Sequence, residues 1–394
     1  WHSALRMLLR GGHVAAASDL PRLLSDAVRP MGIETVIYLA DVEQRMLRAL
    51  PGTGETLREP MSIDGSLAGR AFVTVTPLLA GGEPARIWMP LVDGTERLGV
   101  VDVGLPDGLA ADSDTIGHIT DLAGLVGHLV VAKKQYGDTL GRGRRSKPMS
   151  AAAETLWRLL PPLTFTTDRM VLSAILEPCY EVGGDAFDYA IDDGVARVAI
   201  FDAVGHGLRA ALTAAVALGA CRTARIQGRD LPAIANAADD AIMAEYDDAR
   251  FVTAVLAELD LQSGLLRYIN AGHPPPVLLR SGKVVANLDR GRRIPLGLDH
   301  ATGDVGQVSL EPDDRLLFYT DGFTEARDAA GEQFGLERLV EAAERHAAGD
   351  LPLPEMLRRL AHHLVDHQHG DLADDASLMI LSWQSPPDRR QTLP

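Results

Sequence analysis

Apolar and polar positions divide the chain into two stretches of different rhythm. In the first, residues 18–137, helical and alternating segments succeed one another. Residues 19–28 carry apolar side chains at helical spacing behind Ser18, a candidate N-cap. Residues 35–40 and 45–50 read as short strands, and 63–72, with Asp64 near its start, as a short helix. Residues 86–92 and 97–104 read as a hairpin around Asp93-Gly94-Thr95-Glu96, and 112–136 as a long amphipathic helix. This order predicts an α+β unit built on an antiparallel sheet.

Residues 138–162 read as a linker with a short helix. Gly137, Gly141, Gly143 and Pro148 disfavour an unbroken helix, and Arg142, Arg144, Arg145 and Lys147 make the segment locally basic and flexible in expectation. A break in the helical path is therefore expected between 130 and 160. Residues 149–160 form the short helix, which stops at Pro161-Pro162.

Residues 163–383 form the second unit, β-rich at first. Three successive strands are expected at 170–176, 185–191 and 195–201, then an Ala/Leu-rich helix from Leu208 and another over 230–245. Strands return at 250–260, 265–270, 276–279 and 314–320, followed by helices at 336–346 and 353–367 and a last strand at 376–383. Runs of strands with helices inserted in pairs suggest a sheet sandwich covered by helices. Residues 384–394 read as a flexible tail.

Composition narrows the function. The chain has 394 residues, enough for two or more domains, and its net charge of −16 excludes a general nucleic-acid binder. The two cysteines, Cys179 and Cys221, read as buried free thiols and allow neither a disulfide framework nor a cysteine zinc site. Apolar runs at 122–132 and 210–221 are too short to span a membrane, and no signal peptide is visible. A reducing, cytoplasmic setting without membrane or nucleic-acid partners is expected. The sequence opens on Trp1, as a trimmed or partial chain would.

Acidic residues recur at one kind of place in the second unit. Asp185 follows Gly183-Gly184 at a strand start; Asp202 ends a strand before Ala203-Val204-Gly205-His206-Gly207; Asp321 ends another before Gly322; Asp374-Asp375 precede the last strand. Singly, each is a turn residue. Four such sites against buried strands can converge, and converging carboxylates need a cation. All-oxygen ligation points to Mg²⁺ or Mn²⁺ rather than zinc, and two such ions can activate water and brace phosphate oxygens.

Glu181-Val182-Gly183-Gly184-Asp185-Ala186-Phe187-Asp188, the 202–207 segment, Asn270-Ala271-Gly272-His273-Pro274-Pro275, Tyr319-Thr320-Asp321-Gly322-Phe323-Thr324-Glu325-Ala326 and Asp374-Asp375-Ala376-Ser377-Leu378 occur in the order of one family. With the opening 154–162 segment, they make the second unit resemble a metal-dependent Ser/Thr protein phosphatase of the PPM class, in the SpoIIE-type branch of bacterial sigma-factor regulators. The resemblance implies an αββα sandwich with a two-metal site at one edge. By motif, Asp202 would contact both metals, the Ala203 carbonyl would add a ligand where glycine is frequent, Asp321 and Asp374 would complete the second site, and Asp185 would bind directly or through water. Asp375 and Asp188 would be supporting or structural. Water would attack phosphorus in line with the departing serine or threonine oxygen, without a phosphoenzyme. His206 is the first candidate to protonate that oxygen and His273 the second; for each, the competing role is a hydrogen bond that shapes its loop.

The first unit resembles a GAF sensor domain through Asp64-Gly65-Ser66-Leu67-Ala68-Gly69-Arg70-Ala71, Trp88-Met89-Pro90-Leu91 and Leu98-Gly99-Val100-Val101. It holds no cysteine, so thioether attachment of a bilin is excluded, while His13, His118 and His128 are haem-ligand candidates set against ordinary structural histidines. The ligand of this domain is left open. Together the resemblances imply a phosphatase whose substrate is a phosphoserine or phosphothreonine on an anti-sigma-factor antagonist, controlled by the sensor, as in relatives that relay signals across a homodimer. The competing reading is a catalytically silent, phosphatase-shaped module acting by partner contact. A nucleotide-hydrolysing enzyme is disfavoured, because no Gly-Lys-Ser/Thr loop occurs.

Overall fold

The computed structural model describes residues 1–52, 58–82, 84–178, 180–299, 303–347, 351–368, 372 and 374–384. They form two compact units that divide between Pro148 and Met149. Cys179 and residues 385–394 of the expected tail lie outside the described residues.

The first unit runs α1 (His2–Gly12), α2 (Leu20–Val28), β1 (Glu34–Ala40), β2 (Met46–Ala49), β3 (Met61–Ser62), α3 (Leu67–Thr74), β4 (Leu78–Ala80), β5 (Arg86–Asp93), β6 (Glu96–Gly104), α4 (Ser113–Lys133) and α5 (Thr139–Gly143). Its strands form one antiparallel sheet in the order β3-β2-β1-β6-β5-β4. Alternation along β1 sorts the two faces: Ile37 and Leu39 join a core with α1, α2 and α4, whereas Tyr38 and Ala40 pack under α3 with Phe72. The unit is wider than the expected 18–137. Ala4 and Leu8 of α1 are buried in the same core, and the segment expected as a flexible linker is tied down on this unit. Leu140 is buried there, the Arg144 Nε donates to the Ala40 carbonyl at 2.8 Å, and the Val42 N–H donates to the Arg144 carbonyl at 3.0 Å.

Local details also differ. Ser18 sits inside a 3₁₀ turn, and Asp19 holds the N-cap position of α2. The helix expected from residue 63 starts at Leu67, where the Ser66 hydroxyl accepts the Gly69 N–H at 2.9 Å. The helical path breaks after Tyr136 and again before Ala151, as the glycines and Pro148 predict. Among the described helices, that from Ser113 to Tyr136 is long and apolar enough to cross a membrane; in this fold its Ile119, Leu122, Ala123, Val126 and Val130 face the core of the unit.

The second unit runs α6 (Ala151–Leu159), β7 (Thr164–Thr166), β8 (Met170–Glu177), β9 (Asp185–Asp192), β10 (Val195–Ala203), α7 (Gly207–Ile226), α8 (Leu231–Glu245), β11 (Val252–Asp260), β12 (Leu265–Ala271), β13 (Val277–Arg280), β14 (Lys283–Asn287), β15 (Arg292–Arg293), β16 (Gly306–Ser309), β17 (Arg315–Tyr319), α9 (Asp321–Glu325), α10 (Gly335–Ala347), α11 (Leu353–His367) and β18 (Ala376–Trp383). One sheet has the order β15-β12-β11-β10-β9, with β16 also on β12; the other has β14-β13-β17-β18-β8-β7.

Side-chain alternation assigns the layers. Val198 and Ile200 of β10, Phe187 of β9, Phe318 of β17, and Met379 and Leu381 of β18 share one core between the sheets. The intervening Phe201 of β10 and Ala186 of β9 pack instead on α7 and α8. Leu317 and Tyr319 of β17, with Leu378 and Ile380 of β18, pack on α10 and α11. Each strand therefore feeds two cores, and the order of layers is helices, sheet, sheet, helices. Cys221 of α7 is a buried free thiol, and burial pushes it up to about 12.

Candidate functional site

The same alternation places the acidic residues. Asp185 continues the Phe187 row of β9 and Asp202 the Ile200 row of β10, so both face the opposing sheet at the open end of the sandwich. They are cross-strand partners, and Asp202 also pairs with Thr253 of β11. From the opposing sheet, Asp321 follows β17 and opens the one-turn α9, while Asp374 and Asp375 lead into β18.

Hydrogen bonds fix the join between the sheets. The Thr320 hydroxyl donates to Asp185 Oδ2 at 2.7 Å and accepts the Ser377 N–H at 2.9 Å. Asp375 Oδ2 accepts the Gly183 N–H at 2.7 Å and also the Gly184 N–H. Two glycines permit the approach. A Cβ on Gly184 would stand 2.8 Å from the Ala203 carbonyl oxygen, and one on Gly322 would stand 1.8 Å from that of Asp375. Ala203 itself is buried, its N–H bonded to the Gly184 carbonyl at 3.1 Å.

The electrostatics at this edge are one-sided. Burial, followed by the charges of Asp321, Asp374 and Asp375, pushes Asp202 up to about 7, and no basic side chain is among the groups acting on it. Burial and the charges of Asp202 and Asp375 hold Asp185 well above the usual carboxylate range, against the Thr320 and Ser377 hydroxyls. Asp321 is raised by burial, Glu325 and Asp374; Asp375 is raised by burial despite its amide donors. The carboxylates thus lie within electrostatic reach of one another, short of ligand distance: among the described residues no three Asp, Glu, His or Cys side chains are grouped tightly enough to hold an ion as they stand. Oxygen donors converging without a counter-charge fit a hard divalent cation and do not fit a soft one.

The two histidines separate. His273 is buried: its Nδ1 meets the Thr253 hydroxyl at 2.8 Å, its N–H donates to Asn270 Oδ1 at 2.8 Å, and the Asn270 amide donates back to the His273 carbonyl at 2.9 Å. Burial lowers it to about 3, which favours the neutral ring, and its hydrogen bonds are those of a loop-shaping residue. His206 is exposed at the N-cap of α7, and among the described residues no hydrogen bond or ion pair joins its ring to the carboxylates. Asp188, three residues after Asp185, faces α7 instead, where Arg222 and Arg225 each bond it at 2.6 Å. Thr320 and Thr253 are the positioning groups that the motif reading passed over. A polar residue closing the apolar run Leu316–Tyr319 was the available signal for Thr320.

Residues 192–384 match the family model described as stage II sporulation protein E (SpoIIE). Among curated proteins, the chain is 25% identical over 244 residues to protein IcfG of Synechocystis, covering 54% of this chain and 38% of that one. It is 24% identical over 214 residues to the phosphoserine phosphatase RsbU of Bacillus subtilis, covering 53% and 62%. The chain thus spans less than two thirds of either relative. A crystal structure of the RsbU and RsbW domains of a Mycobacterium tuberculosis protein is similar at 24% identity with a TM-score of 0.48, covering 56% of this chain and 62% of that one. By its match to the family model, the second unit carries a SpoIIE-type domain, and it is similar to the phosphoserine phosphatase among these relatives.

Proposed function

We propose that the second unit is a metal-dependent phosphatase that removes phosphate from a phosphoserine or phosphothreonine of a bacterial regulatory protein. The observation that carries this reading is the unneutralised set Asp185, Asp202, Asp321 and Asp374 at one edge of the sandwich. Asp202 and the Ala203 carbonyl would hold two Mg²⁺ or Mn²⁺ ions together with Asp321 and Asp374, and Asp185 would bind directly or through water. When bound, the ions supply an activated water and neutralise the phosphate oxygens. The chain's own groups do the rest. Thr320 orients Asp185, Asp375 clamps the Gly183–Gly184 turn against β10, and the exposed His206 delivers a proton to the departing oxygen. The relatives named as phosphoserine phosphatases support a phosphoserine substrate, and the resemblance to sigma-factor regulators implies one of the anti-sigma-factor antagonist kind.

The first unit is, on this reading, a GAF-like sensor that sets the phosphatase activity, in the cytoplasm and as a homodimer. Its six-stranded antiparallel sheet with helices on both faces supports the assignment. The test is phosphate release from phosphoserine peptides by the full chain, with Mn²⁺ or with chelator. Release is expected only with the metal, and Asp202→Ala should reduce it by about 10³-fold. If wild type and variant are equally inert, the silent binding module replaces this reading.

A further inference from the structure

Next to the carboxylate edge lies a groove of about 270 Å³ whose lining includes Val204, Gly205, His206, Arg209, Asp248 and Arg250. Val204 to His206 is the loop that leaves β10 directly after Asp202 and Ala203, so the groove begins where the proposed metal site ends. Its three basic side chains are in different states. Arg250 is committed: its guanidinium bonds Asp248 at 3.0 and 3.2 Å and lies 5.1 Å from the centre of the Tyr246 ring. His206 is exposed on the loop. Arg209, exposed on the first turn of α7, makes no ion pair or side-chain hydrogen bond among the described residues, although Asp248 feels its charge.

An uncommitted guanidinium lining the groove presents a planar fork of donors matched to a carboxylate or phosphate. On a chain of net charge −16, a local positive feature beside the acidic edge would draw an acidic part of an incoming protein to that edge rather than elsewhere. The phosphoryl group belongs against the carboxylates, and Asp202 does not line the groove. The group the groove takes is therefore a neighbour of the phosphorylated residue.

We propose that Arg209 selects protein substrates that carry an acidic side chain beside the phosphorylated serine or threonine, held in the groove between the β10–α7 loop and the Asp248–Arg250 turn. This rests on the phosphatase reading for its biological meaning but is tested by binding, which needs no turnover. Three fluorescent phosphoserine peptides, identical except for Asp, Ala or Lys beside the phosphoserine, are titrated with the full chain in the presence of Mn²⁺, and phosphate release is followed in parallel. Wild type should bind the Asp peptide about fivefold more tightly than the Ala peptide. Arg209→Glu should shift the preference to the Lys peptide, and Arg209→Lys should keep the wild-type order. Equal binding of all three by wild type, or an order unchanged by Arg209→Glu, overturns the proposal. Selective binding without phosphate release leaves it standing and removes the phosphatase reading; release without selectivity does the reverse.

Discussion

Asp185 and Asp188 lie three residues apart on one strand, and both are buried, yet their surroundings are opposite. Strand alternation sends Asp188 to the helix side, where Arg222 and Arg225 neutralise it, and sends Asp185 to the sheet-facing side, where the nearest charges are Asp202 and Asp375. One face of β9 is a finished ion cluster. On the other face, beside Asp202, Asp321 and Asp374, no basic side chain is among the groups acting on the carboxylates. The contrast separates two kinds of buried acid in such a fold: a carboxylate with its arginines stabilises, whereas the set without them is the one to which the proposed metal role is assigned.

The contrast can be broken most sharply by removing a charge from each face. Asp188→Ala leaves two arginines facing a lost partner and should destabilise the chain by about 3–5 kcal/mol in chemical denaturation. Asp202→Asn in metal-free protein removes a repulsive charge and should be as stable as wild type or up to about 1 kcal/mol more stable. Equal losses for the two variants would erase the distinction.

His273 sharpens the comparison more gently, because burial there is met by staying neutral. Its folded value of about 3 lies below the ordinary 6.5, so below pH 6.5 the unfolded chain binds a proton that the folded chain refuses. The stability it contributes is complete above 6.5 and falls as the pH drops towards 3, by about 1.4 kcal/mol per pH unit at most. His273→Gln should flatten the dependence of stability on pH between 6.5 and 4 relative to wild type. An unchanged slope would show that His273 is charged in the folded chain.

Much of this was legible in the sequence, for reasons that differ by residue. The strand over 376–383 and the hairpin near Asp93-Gly94 follow from alternation and turn chemistry, and Asp112 caps α4 where the pattern starts. The four aspartates stand at the ends of buried strands, where the pattern put them, and within electrostatic reach of one another. Partners distant along the chain were not legible. Nothing local ties Asp188 to Arg222, Asp375 to the Gly183 amide, or Leu140 to the core of the first unit. His273 looked like a proton donor because its burial depends on the turn that Asn270 closes around it.

The most direct test is calorimetric titration of Mn²⁺ into the metal-free 394-residue chain, wild type beside Asp202→Asn. The account predicts saturable binding of Mn²⁺ to wild type, with a rise in melting temperature, and loss of both in the variant. Indistinguishable titrations of the two proteins, or a wild type that binds no Mn²⁺, would contradict it.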